Sequence, residues 1–306
     1  MTELTLADVS VIIVNYNGET VLPGAIESLY SLTAQPLEVI VVDNGSTDGS
    51  VDGIKAYAEK YGRLRLVEAQ GNFGVAGGRN IGVEVAKGAI LAFLDADGRA
   101  TEDWLPNALV AMNQDPRVGA VAPLVLMGSG DVINGAGSFI DDSGHGRDRF
   151  WGESLALRQA DLSRIAGTPC DYPMGCGMVV RRPGLERIWP LDESLLKWHD
   201  DTELGIRVKR LGYRTVFWPQ SRVLHQPGHS DPARREVRHV ESELARFRLL
   251  LKYYSHLRFV TSLLYYVVHA VSGARKNPEL KSAAKVLLHD LRSAWPAARK
   301  IRRQWR

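Results

Sequence analysis

Only two cysteines occur in the 306 residues, Cys170 and Cys176. They stand six apart with no partner pair, which excludes a cysteine-based zinc frame and a disulfide framework, and no catalytic part is expected of either. Long apolar runs are also missing. Val9–Val14 stops at Asn15 with no basic stretch before it, so the N-terminus reads neither as a signal peptide nor as a membrane span, and the chain is expected to begin in the cytoplasm. No G-x-G-x-x-G follows that first run, where Asn15-Tyr16-Asn17-Gly18 stands instead, and no G-x-x-x-x-G-K-[ST] occurs. A nicotinamide-dependent dehydrogenase and a P-loop ATPase are thereby excluded. With 45% hydrophobic residues, 29 Gly and 14 Pro, collagen-like and disordered classes fall away too.

What remains is a globular chain whose net charge of +3 hides an asymmetry. Residues 1–231 carry 21 Lys and Arg against 30 Asp and Glu, whereas 232–306 carry 17 against 5. An acidic body able to hold cations and a basic tail able to meet an anionic surface follow from that split. The expected domains are therefore 1–231 and 232–306.

Short β-branched runs alternate with helical periods through the first hundred residues. Strands are predicted at 9–14, 38–42, 64–68 and 89–94, with helices at 19–32, 51–61 and 75–87. This order predicts an α/β domain with a mostly parallel sheet covered on both faces. Ligands of such sheets bind beyond the carboxyl ends of the strands. Polar clusters stand there: Asn15-Tyr16-Asn17, Asp43-Asn44-Gly45-Ser46 and Asp95-Ala96-Asp97. Later the pattern predicts helices at 103–114 and 201–211, strands at 118–126, 177–181 and 215–218, and loop or hairpin structure from Gly128 to Gly152.

Asp95 and Asp97 point to one side if the backbone is extended, and would together hold a hard cation that keeps other positions for water and phosphate. An Asp97-Gly98 turn is the structural alternative. Asp43 is read as a ligand for a ribose or base, and Ser46–Asp48 as a helix cap. The segment Gly71–Asn80 offers backbone N–H groups and Arg79 to phosphate, with tight helix packing as its alternative. Asp192, Glu193 and Glu203 read as solvated surface.

In order along the chain, Val9–Gly18, Val41–Ser50, Asn72–Gly82, Asp95-Ala96-Asp97 and Trp198–Leu204 resemble the motifs of the family 2 nucleotide-sugar glycosyltransferases. The likeness covers about residues 8–230 and is strongest to the rhamnosyltransferase-like branch, a label that does not fix the sugar. It implies a GT-A fold, a Rossmann-like sheet flanked by helices, with a nucleotide-sugar part at about 8–100 and an acceptor part at about 101–231. It also implies inverting transfer from a nucleoside-diphosphate sugar, assisted by Mn2+ or Mg2+. Carried over by position, Asn15, Tyr16 and Asp43 contact the nucleotide, Arg79 and Asn80 lie near the diphosphate, and Asp95 and Asp97 form the Asp-x-Asp motif, Asp97 being the surer metal ligand. Asp201 takes the position of the general base, but Asp200 stands where the family has Glu, so the choice between them stays open. His225 matches a histidine that completes the metal site, with His229 as a rival. Gly175 and Trp198 fall on the acceptor side, where packing roles are the alternative.

Phe259–Val271 is thirteen residues without a formal charge, too short to span a bilayer. Arg246, Arg248, Lys252 and Arg258 precede it, and Arg275, Lys276 and Arg299–Arg306 follow. A peripheral contact of 244–306 with the inner face of the membrane is the expectation, with a hairpin closing on the body or on a dimer partner as the alternative. Oligomerisation is left open, and no nucleic-acid-binding fold accompanies the charge. The sequence thus predicts a cytoplasmic, membrane-peripheral glycosyltransferase using a UDP- or dTDP-sugar on a glycan or lipid-linked glycan. A soluble transferase acting on a small molecule or protein, and a non-catalytic sugar-nucleotide-binding protein, are the alternatives.

Overall fold

The computed structural model describes residues 3–195, 198–226 and 235–273, with further residues between 286 and 302. His229, Arg275, Lys276, Lys300 and 303–306, singled out above, lie outside the described residues. The chain divides into two compact units: Met1–Phe139, Asp148–Glu193 and Asp200–Gly228 form one, while Ile140–Arg147, Ser194–His199 and His229–Arg306 form the other.

In the first unit, β1 (Val9–Asn15), β2 (Glu38–Asp43), β3 (Leu64–Glu68) and β4 (Ile90–Phe93) alternate with α1 (Leu22–Tyr30), α2 (Ser50–Lys60) and α3 (Gly74–Val85). β1 pairs in parallel with both β2 and β4, and β2 with β3. Residues of β1 alternate between two packing layers: Val9, Val11 and Ile13 enter the main hydrophobic core with α1 and α4 (Trp104–Gln114), while Ile12 and Val14 face α3. Two-residue side-chain alternation produces this division. The α3 face is built of glycine. A Cβ on Gly78 would stand 2.5 Å from Val14 Cγ1, and one on Gly82 2.5 Å from Ile12 Cγ2. Tight packing of the helix, the alternative weighed for this segment, is therefore the role of both.

The remaining strands are β5 (Gly98–Ala100), β6 (Val118–Met127), β7 (Val132–Ala136), β8 (Ser138–Ile140), β9 (Gly146–Asp148), β10 (Pro169–Cys170), β11 (Val179–Arg181) and β12 (Arg214–His225). The main sheet runs β10-β12-β6-β11-β4-β1-β2-β3, with β5 on β12 and β7 on β6. The stretch 128–152, expected as loop or hairpin structure, contains three strands: β7 lies antiparallel to β6, and β8 pairs with β9 in a separate two-stranded sheet. α5 (Leu155–Arg164) and the extension of β12 to His225 were not predicted. Pro219 reads as the end of a strand, but a register shift between Trp218 and Arg222 absorbs it and lets β12 continue. α6 (Asp200–Arg210) buries Glu203, which pairs with Arg207 at 2.8 Å and accepts from the Asp192 backbone. That corrects the surface assignment of Glu203, whose periodicity is that of an amphipathic helix with a charged inner position.

The second unit contains α7 (Arg235–Tyr253) and α8 (His256–Gly273). Phe247, Leu250, Leu251, Phe259 and Leu291 form its core. The basic residues expected at a membrane surface are internal to it. Arg246, 2% exposed, pairs with Glu243 and donates to the Ser143 carbonyl; Lys252, 3% exposed, donates to Ser194 Oγ. Arg248 pairs with Asp290, and Arg258 donates to the Asp141 and Asp142 carbonyls. Among the described residues no helix is long and apolar enough to cross a membrane.

The glycines of α2 and α3 make opposite predictions. At Gly53 of α2 a Cβ meets nothing within 4 Å, so Gly53→Ala should stabilise by about 0.5–1 kcal/mol through lower unfolded-state entropy and better helix propensity. Gly82→Val should destabilise by about 1–3 kcal/mol through overpacking against Ile12. Urea unfolding of the two variants checks both signs.

Candidate active site

The carboxyl ends of β1 and β2 stand side by side, with Asn15 in register with Asp43. Both are buried. Asn15 Nδ2 lies 2.9 Å from Asp43 Oδ1 and within 3.1 Å of the Ser46 and Ser50 hydroxyls. Asp43 Oδ2 accepts from the backbone N–H groups of Gly45 and Ser46, an Asx-type turn that needs Gly45 at φ +81°. Both carboxylate oxygens of Asp43 are thus engaged within the protein, Oδ2 closing this turn and Oδ1 accepting from Asn15, a role that the ligand reading did not include. Asn44, which the sequence reading left without a role, reaches Gly74 O at 2.9 Å and accepts from Phe73 N, clamping the start of α3. Tyr16 is 51% exposed at the rim of these loops. Asn80, expected near the diphosphate, instead exchanges two hydrogen bonds with the Leu191 backbone, donating at 3.0 Å and accepting at 2.7 Å.

Arg79 is the centre of the site. α3 carries it inward to 4% exposure, where Nη1 donates to Asp200 and Nη2 donates to Asp95 Oδ1 and to Gly175 O, both at 3.1 Å. Its guanidinium lies 5.6 Å from the Phe93 ring centroid. Burial works against its charge, but Asp200, Asp95 and Asp201 together hold its pKa above the ordinary arginine value. One permanent cation therefore ties β4, the 175 loop and the start of α6 together. Gly175 has to be glycine, because a Cβ there would stand 2.8 Å from Arg79 Nη2.

Asp200 and Asp201 do different things. Asp200 is buried in the ion pair with Arg79. Asp201 accepts from the Gly175 N–H at 3.1 Å and the Thr202 N–H at 2.6 Å. Burial, then the neighbouring Asp200 charge, pushes the Asp201 carboxyl up to about 7, Arg79 acting in the opposite sense.

Asp95 and Asp97 do not sit on an extended strand. The Gly98 N–H donates to Asp95 O at 2.8 Å, closing the turn that the sequence offered as the alternative. Strand pairing brings Asp97 to His225 instead, since β5 lies antiparallel to β12 with Gly98 opposite His225. His225 Nε2 is 3.2 Å from Asp97 Oδ1. On the other side of the ring, Nδ1 is 2.6 Å from Asn134 Oδ1, an acceptor that fixes a proton on Nδ1 and leaves Nε2 facing Asp97, to which it donates when the ring is protonated. Asn134 sits on β7 in the stretch that the sequence marks only as Gly-rich and irregular. Burial lowers the His225 pKa, but Asp97 and Asp95 outweigh it and raise the group. Burial raises Asp95, with Arg79 opposing. Two carboxylates and an oriented imidazole are a donor set suited to Mn2+ or a similar divalent ion. Trp198 is half-buried and belongs to the second unit.

Removing the central cation leaves Asp200 buried without its partner. Arg79→Ala should destabilise the protein by about 3–5 kcal/mol, and Arg79→Ala/Asp200→Asn should recover part of the loss, as measured by urea unfolding.

Residues 10–189 match the family model described as Glycosyl transferase family 2. The chain is 28% identical over 261 residues to the N-acetylglucosaminyl-diphospho-decaprenol L-rhamnosyltransferase of Mycobacterium tuberculosis (strain H37Rv), with 76% of this chain and 81% of that protein covered. It is 32% identical over 190 residues to an uncharacterized glycosyltransferase of Nostoc sp. (62% and 55% covered). Among solved structures it resembles GalNAc-T7 with UDP, GalNAc and Mn2+ at TM-score 0.65 and 17% identity, covering 94% of this chain but only about half (54%) of that one. The mannosyltransferase PcManGT from Pyrobaculum calidifontis, solved with GDP-Man and Mn2+, gives TM-score 0.59 at 18% identity (96% and 86% covered). These neighbours share the GT-A architecture. The chain belongs to glycosyl transferase family 2, with a GT-A fold.

Proposed function

We propose that this glycosyltransferase is an inverting, divalent-cation-dependent enzyme that transfers a sugar from a UDP- or dTDP-sugar to a glycan or lipid-linked glycan. The observation that carries the reading is the unequal treatment of two adjacent carboxylates. Asp200 is neutralised by Arg79, whereas Asp201 is held by backbone N–H groups with its pKa raised to about 7. A single displacement with inversion needs one base on the face opposite the leaving group, and a pKa near the working pH suits that base. Asp201 takes the proton of the acceptor hydroxyl as its oxygen attacks the anomeric carbon and the sugar–diphosphate bond breaks. The Gly175 N–H and the start of α6 orient Asp201, and Gly175 and Trp198 are assigned to the acceptor side.

Asp97, Asp95 and His225 would hold the cation, with Asn134 fixing the His225 tautomer. When bound, Mn2+ or Mg2+ supplies positive charge to the leaving diphosphate. Tyr16 offers its exposed ring to the nucleobase, while Asn15 and Asp43 shape the nucleotide pocket from behind through the turn at Gly45, and Asn80 holds the Leu191 backbone against α3 beside the diphosphate region. Arg79 acts by holding Asp95 in place. The mycobacterial relative is named for a rhamnosyl transfer to a lipid-linked acceptor, which favours a lipid-linked glycan over a small molecule or protein. Retention of both Asp97 and Asp201 argues against a non-catalytic sugar-nucleotide binder.

Residues 1–231 form the catalytic part in this reading, and 232–306 a peripheral contact with the inner face of the membrane. Support for the contact comes from one face of α8: Leu257, Val260, Leu264, Tyr265 and Val268 follow a helical spacing and are all exposed, Leu257 at 74%. Because Arg246, Arg248, Lys252 and Arg258 are engaged within the unit, it is this apolar face that would meet the lipid, and the occupant that fits it is the interface of a bilayer.

The assay is nucleotide release from UDP- and dTDP-sugars with lipid-linked acceptors, with and without Mn2+. Asp201→Asn should lower kcat/KM by about 10²–10⁴, and full transfer by Asp201→Asn would move the base elsewhere. For the native enzyme, log kcat/KM should rise with pH and level off above about 7, because the base is protonated below its raised pKa. Leu264→Asp/Val268→Asp should abolish flotation with phosphatidylglycerol-containing vesicles. If flotation were unchanged while the same variant changed the dimer content seen by light scattering, the face would belong to a second copy.

A further inference from the structure

The cation site contains a donor for which the proposed reaction has no use. Cys176 follows Gly175 and is almost fully buried. Its Sγ, a carboxylate oxygen of Asp95 and a ring nitrogen of His225 all lie within 4.8 Å of one another. Bonds from zinc-sized ions to oxygen, nitrogen and sulfur are about 2.0–2.3 Å long, which sets tetrahedral donors about 3.3–3.8 Å apart, so closing the trio onto one ion draws the side chains together by up to about 1–1.5 Å. Asp97 Oδ1, 3.2 Å from His225 Nε2, adds a fourth donor beside the trio. A Cβ on Gly98 would stand 3.1 Å from Sγ, so the glycine after the Asp-x-Asp motif leaves the thiol its room. Cys170, the other cysteine, packs in a separate hydrophobic cluster with Ala122 and Phe217.

We propose that Cys176 is a sulfur ligand of this site, so that the pocket binds thiophilic ions such as Co2+, Zn2+ and Cd2+ through Asp95, His225 and Cys176, with Asp97 alongside, and binds Mg2+ through oxygen and nitrogen alone. The inference rests on the cation site read above and adds to it a preference. Thiolate ligands select softer ions, whereas carboxylates suit Mg2+ and Mn2+. Coordination breaks the S–H bond heterolytically: the electron pair stays on sulfur, which shares a lone pair with the cation, the proton leaves to solvent, and no oxidant or reductant takes part. Zn2+ and Cd2+ then compete with the working cation and occupy the site in a form that the donor diphosphate does not readily displace.

The test is an anaerobic titration of the full chain with Co2+, read by the near-ultraviolet sulfur-to-cobalt charge-transfer absorption and by calorimetry. Wild type should develop the band and saturate at one ion per chain. Cys176→Ser should still bind Co2+, about tenfold more weakly, with the band gone and with Mg2+ affinity unchanged within about twofold. Cys176→Ala should repeat the result, which separates loss of the sulfur donor from any effect of the serine hydroxyl. A wild-type Co2+ complex without the band, or a band that survives in Cys176→Ser, overturns the sulfur ligand and leaves the cation site standing. Failure of wild type to bind Co2+ at all overturns the cation site and the sulfur ligand together.

Discussion

The buried guanidinium of Arg79 is the contact on which the rest of the site depends. Four carboxylates, Asp95, Asp97, Asp200 and Asp201, are drawn into one region of a protein interior where like charges repel strongly. A single cation that cannot lose its proton makes that tolerable by donating to Asp200, Asp95 and the Gly175 carbonyl at once. Lysine would not substitute, because the arrangement uses the planar fork of donors and not only the charge. The fold delivers Arg79 there by making α3 glycine-rich: with no Cβ at Gly78 and Gly82, the helix lies close on β1 and its longest side chain reaches across the strand ends.

This also explains why two neighbouring aspartates differ. At the start of α6, successive side chains point in different directions around the helix, so Asp200 meets Arg79 while Asp201 meets the 175 loop. The charge of Asp200 is balanced, yet it still raises the pKa of Asp201 across the short space between them. A glutamate at position 200 would be longer by a methylene and would have to pair with Arg79 in a different geometry. The shorter aspartate matches a guanidinium that is drawn toward the sheet by Asp95 and Gly175.

How much of this was legible in the sequence depended on the range of each interaction. Parallel strands buried on both faces leave near-continuous apolar runs, so β1 to β4 and the polar clusters at their ends could be read directly. Asp97 with His225 was reachable only through the family resemblance, because their meeting depends on the pairing of β5 with β12 across more than a hundred residues. Asn134 and Cys176 carried no local signal: one sits in a Gly-rich stretch that resembles a loop, the other beside a glycine whose need is set by Arg79. Glu203 was misread for a related reason. A charge at a helix position reads as solvent-facing unless its partner is known, and Arg207 one turn later is equally ordinary on a surface.

The basic tail shows how far composition alone carries an argument. Its excess of twelve positive charges suggests attraction to anionic lipid, at about 1 kcal/mol for each Lys or Arg near the surface. That figure applies to charges free to face the lipid. Arg246 and Arg248 instead neutralise Glu243 and Asp290, Lys252 donates to the Ser194 hydroxyl and Arg258 caps carbonyls within the second unit, so they contribute to its folding and little to any surface. Affinity for a bilayer would then have to come mainly from the apolar face of α8, which transfers about 25 cal/mol per Å² of buried area and is insensitive to salt. A contact of that kind would persist at ionic strengths that release a purely electrostatic one.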